Sequence, residues 1–357
     1  MCTSLIIRDA NGLVYHGRTN EYASLLPDRL VYFPVGSKIE SVKPDGSPGY
    51  TFNTKYAFIA ATLFGMTDNA KQDAVHEGAS DQGMTFSVNA MMGNVSGQPD
   101  PNSPNILSAI DLGSWVLGCF SSVAQVKQAF ANNEVSVWLP TIASMANLAA
   151  PMHCAIFDKT GAGVVVEFMN GEIQVYDNEV GVMTNNPVFP WHLENLNNYA
   201  QLTNVDKNTG QFGNVKVNAY DSGNALANLP GSETSPCRFI KAAYYSTFIQ
   251  KATTPKQAIL NLAHVMNNFD RPVDITIDLP GTGSAAEGST AVVTSEATYF
   301  TVLADMNTNQ FYIRTISSMN FSRFDLAKLS AVKEPKTLMF EVIEATDGGD
   351  ATGLFLN

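Results

Sequence analysis

The stretch Met1-Cys2-Thr3-Ser4-Leu5-Ile6-Ile7-Arg8-Asp9-Ala10-Asn11-Gly12-Leu13-Val14-Tyr15-His16-Gly17-Arg18-Thr19-Asn20-Glu21 decides how the chain is read. Thr3 to Arg8 has the composition of a strand, Asn11-Gly12 signals a tight reversal, and Leu13 to Gly17 returns antiparallel to it. Such a hairpin folds Arg18 back towards Cys2. Removal of Met1 would leave Cys2 with a thiol and a free α-amine, whose reference pKa of about 7.7 to 8.0 suits a base near neutral pH. One residue would then supply nucleophile and base. A thiolate is favoured by a fixed cation such as Arg18, and a carboxylate at Glu21 can orient the amine by accepting its hydrogen bonds. Position alone is weak evidence, because structural cysteines are usually inert.

The 357 residues are 45% hydrophobic and 15% charged, which allows a large buried core. No linker, charge block or internal repeat divides them, so the chain reads as one domain over 1–357. A net charge of −12 and a pI near 4.8 exclude the basic face that a nucleic-acid partner requires and disfavour anionic membrane surfaces. No apolar run approaches the roughly 20 residues of a spanning helix, and the start lacks the layout of a signal peptide. The four cysteines, Cys2, Cys119, Cys154 and Cys237, show no zinc-type spacing. With Cys2 at work, the odd remainder argues against a disulfide framework. Asn-rich, Lys-poor composition favours a periplasmic or exported protein, with Met1 replacing a removed leader, over a cytoplasmic one.

Further along, strands are expected over Leu30 to Pro34, in Tyr50 to Ala61 and Met84 to Met92, then over His153 to Phe157, Gly163 to Phe168 and Ile173 to Tyr176. Helical spacing runs through Ile106 to Asn133, and Ser235 to Ile249 and Pro255 to Asn267 are further helices. Tyr299 to Ala304 and Gln310 to Thr315 close a late hairpin. Runs of strands followed by runs of helices predict an α+β layering, two antiparallel sheets with helices outside.

Polar residues gather in Thr184-Asn185-Asn186-Pro187, Leu229-Pro230-Gly231-Ser232 with Arg238 behind it, and Asn267-Asn268-Phe269-Asp270. Asn185 is either a turn former or a neutral oxyanion donor, a task in which an amide does not quench a thiolate. Arg238 sits near the start of an apolar helix, where surface exposure is the ordinary expectation. Among the five histidines, His153 reads as a hydrogen-bonded core residue, and no histidine lies in a local cysteine-protease signature. HExxH, Walker A, strand-linked GxGxxG and GxSxG motifs are missing, so no metal, nucleotide or other cofactor is implied.

Taken together, Cys2-Thr3, Gly17-Arg18-Thr19, Thr54-Lys55-Tyr56, Val180-Gly181-Val182-Met183-Thr184-Asn185-Asn186-Pro187 and Leu229-Pro230-Gly231 before Arg238-Phe239 resemble the choloylglycine hydrolase and penicillin V acylase family of N-terminal nucleophile hydrolases. Pro44-Asp45-Gly46 and Asn267-Asn268-Phe269-Asp270 look most like its Gram-negative branch. The resemblance implies a four-layer αββα sandwich and hydrolysis of a linear, non-peptide amide by the mature terminal cysteine. It places Cys2 as nucleophile, Arg18 and Arg238 as the two active-site arginines, and Asn185 as the oxyanion asparagine. Glu21 stands where most members have aspartate. Gly78-Ala79-Ser80-Asp81-Gln82-Gly83 departs from the usual Gly-x-Asn-Glu-x-Gly, and a pocket-lining Tyr or Asn falls on Ala90, with Asn89 beside it. The second oxyanion donor would be the backbone N–H near Ala90, and Tyr22 takes an acyl-facing aromatic position. The implied partner is a small-molecule amide with an apolar acyl group, held by Tyr22 and by aromatic or Met-rich stretches around Phe64, Met91 and Met92; relatives also suggest a homotetramer. The rivals are a non-catalytic binding protein on the same sandwich and a papain-like Cys/His hydrolase.

Overall fold

The computed structural model describes residues 1–67, 70–94, 99–142, 148–279 and 293–356. Its amino-terminal strand, Cys2–Arg8, turns back through Asp9 to Leu13 into a second strand, Val14–Tyr22. Asp9 Oδ1 accepts the backbone N–H groups of Asn11 and Leu13 at 2.8 and 2.9 Å, and Gly12 takes the positive φ of 81° that the reversal needs. That turn fixes the register at Cys2 opposite Asn20 and Ser4 opposite Arg18. A slip by one residue would move Arg18 to the other face of the sheet.

These two strands sit inside a seven-stranded sheet, in the order Val182–Met183, Cys2–Arg8, Val14–Tyr22, Ala297–Asp305, Gln310–Thr315, Ser322–Asp325 and Gly349–Asp350. Every pairing is antiparallel except the last, which is parallel. A second sheet of eight antiparallel strands runs Glu172–Asp177, Gly163–Met169, Met152–Asp158, Met84–Ala90, Ala74–Ser80, Phe58–Leu63, Asp28–Phe33 and Lys336–Met339.

Helices cover the outer face of each sheet. Ser235–Phe248 packs on Cys2–Arg8, and Pro255–Met266 packs on Val14–Tyr22 and Ala297–Asp305. Proline in the first turn of both suits them, since its missing N–H is unpaired there anyway, and the Thr254 side chain caps the second by accepting from Gln257 N–H. Leu112–Cys119 and Val123–Ala131 cover the second sheet. The expected αββα sandwich is therefore present. Helical spacing read over Ile106 to Asn133 resolves into a short strand, Ile106–Ser108, a 3₁₀ turn and these two helices.

Apolar side chains fill the outer layers: Leu5, Phe239, Leu262 and Met266 in one, Phe86, Trp115, Val126 and Ile156 in the other. Each such side chain contributes roughly 1.5–3 kcal/mol by leaving water. Gly17 lets the Pro255–Met266 helix approach closely, because a Cβ there would lie 2.8 Å from Met266 Cγ and Sδ. Between the sheets Tyr32, Ile59, Phe157 and Val165 continue the apolar core. Around Cys2 the interior holds Ser4, His16, Arg18, Asn20, Glu77, Ser87 and Asn89, all buried.

Candidate active site

Side chains alternate along the hairpin, so Cys2, Arg18 and Asn20 share the face turned to the second sheet, while Thr3 and Thr19 face the helices. Cys2 is 3% exposed. Arg18 Nη2 donates to Cys2 Sγ at 3.3 Å and to Val88 O, Nε donates to Asn89 Oδ1 at 3.2 Å, and Nη1 donates to Asn20 Oδ1. The guanidinium is thus fixed against the thiol by Asn20 of its own strand and by Val88 and Asn89 of the second sheet. Burial works against its charge, but Cys2, Glu77, Tyr22 and Glu21 outweigh that and hold it above the ordinary arginine range.

Arg238 arrives from the helix side and is fully buried, against the surface position expected of it by habit. Its Nη1 donates to Cys2 O and to Thr3 Oγ1, the latter at 2.7 Å, and its Nη2 donates to Asn185 Oδ1 at 2.7 Å. Ser235, one helical turn earlier, accepts Asn185 N–H on Oγ at 2.9 Å. Cys2 N–H also donates to Asn185 Oδ1, at 2.8 Å, and Asn185 Nδ2 donates to Ala90 O at 2.7 Å. Asn185 therefore carries its amide NH₂ beside Ala90, with its oxygen anchored by Cys2 N–H and Arg238. Next to it, Asn186 exchanges two hydrogen bonds with the backbone of Met92, at 2.8 and 2.9 Å.

The Met1 ammonium donates to Glu21 O and to Glu296 Oε2, both at 3.0 Å, and Arg271 Nη1 lies 3.5 Å from the same carboxylate. Glu21 is buried, its Oε1 accepting from Thr298 Oγ1 at 3.4 Å. Burial pushes its carboxyl up, with Arg238 and the terminal ammonium opposing. With Met1 in place, it is Glu296 rather than the Glu21 side chain that holds the terminal amine.

A cavity of about 140 Å³ opens beside Cys2, lined by Arg18, Tyr22 and Ala90 and by apolar Leu63, Val75, Ile110 and Met152 among others. Tyr22 is pinned there by His76 Nδ1 and Asn20 Oδ1, each 3.3 Å from its hydroxyl. His76 Nε2 in turn meets Asp28 Oδ1 at 3.0 Å. Asn89 lies behind the cavity wall: its Nδ2 donates to Thr184 O at 2.6 Å while its Oδ1 receives Arg18. Phe64 points outward, with Arg29 stacked on its ring at 3.9 Å.

His153 is buried between Glu167 Oε1 at 3.2 Å and Thr184 O at 3.1 Å. Among the described residues, no histidine hydrogen-bonds Cys2 Sγ. Sequence reasoning missed Asn20, Glu77, Arg271 and Glu296. Only the pairing register that sets Asn20 opposite Cys2 could have singled out the first.

This arrangement, a cysteine at a strand terminus with one arginine on its thiol, a second arginine and an asparagine on its backbone, and an apolar cavity beside it, is that of an amide hydrolase. The family model of linear amide C-N hydrolases, choloylglycine hydrolase family, matches residues 2–337, and the chain belongs to that family. It is 27% identical over 333 residues to the bile salt hydrolase/transferase of Clostridium perfringens (92% of this chain, 93% of that protein), and 30% identical over 246 residues to the conjugated bile acid hydrolase of Lactobacillus gasseri (68% and 74%). Solved structures share the fold: a variant conjugated bile acid hydrolase from Clostridium perfringens at TM-score 0.78 (24% identity, 95% of this chain, 96% of that one), and penicillin V acylase from Agrobacterium tumefaciens at 0.74 (20%, 95% and 91%). The chain is a hydrolase of linear carbon-nitrogen amide bonds.

Proposed function

We propose that, once Met1 is removed, the Cys2 thiolate attacks the amide carbonyl of a substrate whose acyl group fills the cavity. The observation that carries this reading is the Arg18 Nη2 contact on Cys2 Sγ at 3.3 Å, made at the cavity mouth. Asn185 Nδ2 and the backbone N–H near Ala90 receive the oxyanion, where preorganised donors act most strongly in a site that excludes water. The α-amine of Cys2, oriented by Glu21 and Asn185 Oδ1, gives its proton to the leaving amine, and water then releases the acid. Arg238 holds the Cys2 backbone and the Asn185 oxygen in place, while Asn89 positions Arg18.

Tyr22 and the apolar lining favour an apolar acyl group. Relatives named for bile salts and for penicillin V make conjugated bile acids and penicillin V the first substrates to try, with N-acyl homoserine lactones as a third class. Release of amine from that panel by the processed chain tests the reading. Ligand binding without release would favour a non-catalytic binding protein instead.

We further propose a homotetramer. The Thr209–Phe212 and Val215–Asn218 hairpin exposes every side chain, including Phe212, Val215 and Val217, and an isolated two-stranded hairpin is marginal in water.

A further inference from the structure

Glu77 lies in the middle of the Ala74–Ser80 strand, on the face turned to the first sheet, with none of its surface exposed. Among the described residues, neither carboxyl oxygen has a hydrogen-bond partner of good geometry. Its charged neighbours come from the facing strand: Arg18 Nε is 3.5 Å from Oε2, and His16 Nδ1 is 3.8 Å from Oε1. Yet the donors of Arg18 are directed elsewhere, to Asn89, Asn20, Val88 and Cys2. His16 Nε2 faces the Ser4 and Ser87 hydroxyls at 2.9 and 3.4 Å, while its Nδ1 has no hydrogen-bond partner among the described residues. Burial keeps that imidazole neutral, down to about 3. The donors around an ionised carboxylate in this place are too few and too poorly aimed to offset its desolvation. A neutral carboxylic acid has no such need, and the neutral His16 ring, whose Nδ1 lies 3.8 Å from Oε1, adds no charge beside it.

We infer that Glu77 stands protonated behind Arg18 in the resting enzyme, leaving the guanidinium charge to Cys2, and that its ionisation at alkaline pH divides that charge between two anions. Glu77 acts through Arg18, as a positioning residue, and the inference rests on Cys2 being the nucleophile. Burial pushes the Glu77 carboxyl up to about 8, with Arg18 the chief opposing influence and the Ser87 hydroxyl and Gly78 N–H weaker ones. The Val14–Tyr22 strand turns His16, Arg18 and Tyr22 to this interior, and Cys2–Arg8 turns Cys2. Met84–Ala90 adds the neutral Ser87 and Asn89, and Phe58–Leu63 sets Ala61 opposite Glu77. Glu21 and Cys154 enter only through their interaction with Arg18. A carboxylate and a thiolate on either side of one guanidinium titrate as a coupled pair, so ionising the first is felt by the second.

The test follows alkylation of Cys2 by iodoacetamide, located by peptide mass, across the neutral and alkaline range. Besides the inflection that any thiol gives, a second one is expected, in which the rate constant changes about threefold, the change that a tenfold difference in thiolate basicity produces. Glu77→Gln cannot ionise and should lose this second inflection. Its persistence in Glu77→Gln overturns the inference. Infrared spectra supply a reading that does not need that variant to fold: a protonated carboxyl band should vanish across the same inflection in wild type and also in Glu21→Gln, whose removed carboxyl is the competing source. Absence of the band from Glu21→Gln overturns the assignment. Hydrolysis by Cys2→Ala would sink the nucleophile reading alone, whereas Cys2-dependent hydrolysis with no second inflection would sink the role of Glu77 alone.

Discussion

Arg18 and Arg238 grip Cys2 from opposite faces of one strand. Arg18 reaches the thiol from between the sheets, while Arg238 reaches the carbonyl oxygen from the helix layer. Two buried guanidinium groups so close together require acceptors and anionic neighbours, and each face supplies its own: Cys2, Asn89 and Asn20 on the inner side, Glu21, Asn185 and the Glu233 carbonyl on the outer. The nucleophile is therefore fixed by its backbone from one side and addressed electrostatically from the other.

Arg18→Met keeps most of the bulk and deletes the cation. Alkylation of Cys2 near neutral pH should slow by about tenfold or more, because the thiolate loses its fixed partner. Unchanged alkylation kinetics would remove Arg18 from its assigned role.

Asn185→Ala removes the proposed oxyanion donor. The expected loss is about 10²–10³ in kcat with a much smaller change in KM, the signature of a contact made only in the transition state. Steady-state kinetics on the preferred amide checks this, and a change confined to KM would assign Asn185 to ground-state binding.

Much of this site is legible in the sequence because its parts follow local rules. Asn11-Gly12 dictates the hairpin, the hairpin brings Arg18 to Cys2, and Pro236 marks the start of the helix that carries Arg238. The strands at Met152–Asp158 and Gly163–Met169 and the helix Pro255–Met266 were likewise readable from their periodicity. Long-range partners were not. Glu77 lies in a short strand whose sequence, Ala-Val-His-Glu-Gly-Ala-Ser, shows no apolar alternation, because both of its faces are buried and one of them faces a polar interior. Glu296 meets Met1 across nearly the whole chain, a contact that no local pattern encodes. Asn89 was expected at the cavity wall; its amide instead bridges Arg18 to Thr184 O, since the strand turns it inward while Ala90 faces the cavity.

The raised carboxyl of Glu77 has a stability consequence. Its ordinary value is 4.5 and its folded value about 8, so the folded chain holds a proton that the unfolded chain releases. Its stabilising contribution is full below 4.5 and is lost as pH rises towards 8. Melting temperatures measured over that window should fall more steeply with pH for wild type than for Glu77→Gln. Parallel curves would contradict a protonated Glu77.

Excision of the exposed hairpin Thr209–Asn218 and its replacement by a short Gly-Ser turn should convert an assembly of 38.5 kDa subunits into monomers, read by light scattering on a sizing column. Retention of the full assembly mass would place the interface elsewhere.

The most direct measurement pairs intact mass with amine release from penicillin V, a conjugated bile acid and an acyl homoserine lactone, for wild type and Cys2→Ala. The expected result is loss of Met1, release by the wild type, and none by a Cys2→Ala protein that still melts cooperatively. Release by Cys2→Ala, or by a chain that retains Met1, would contradict catalysis by the amino-terminal cysteine.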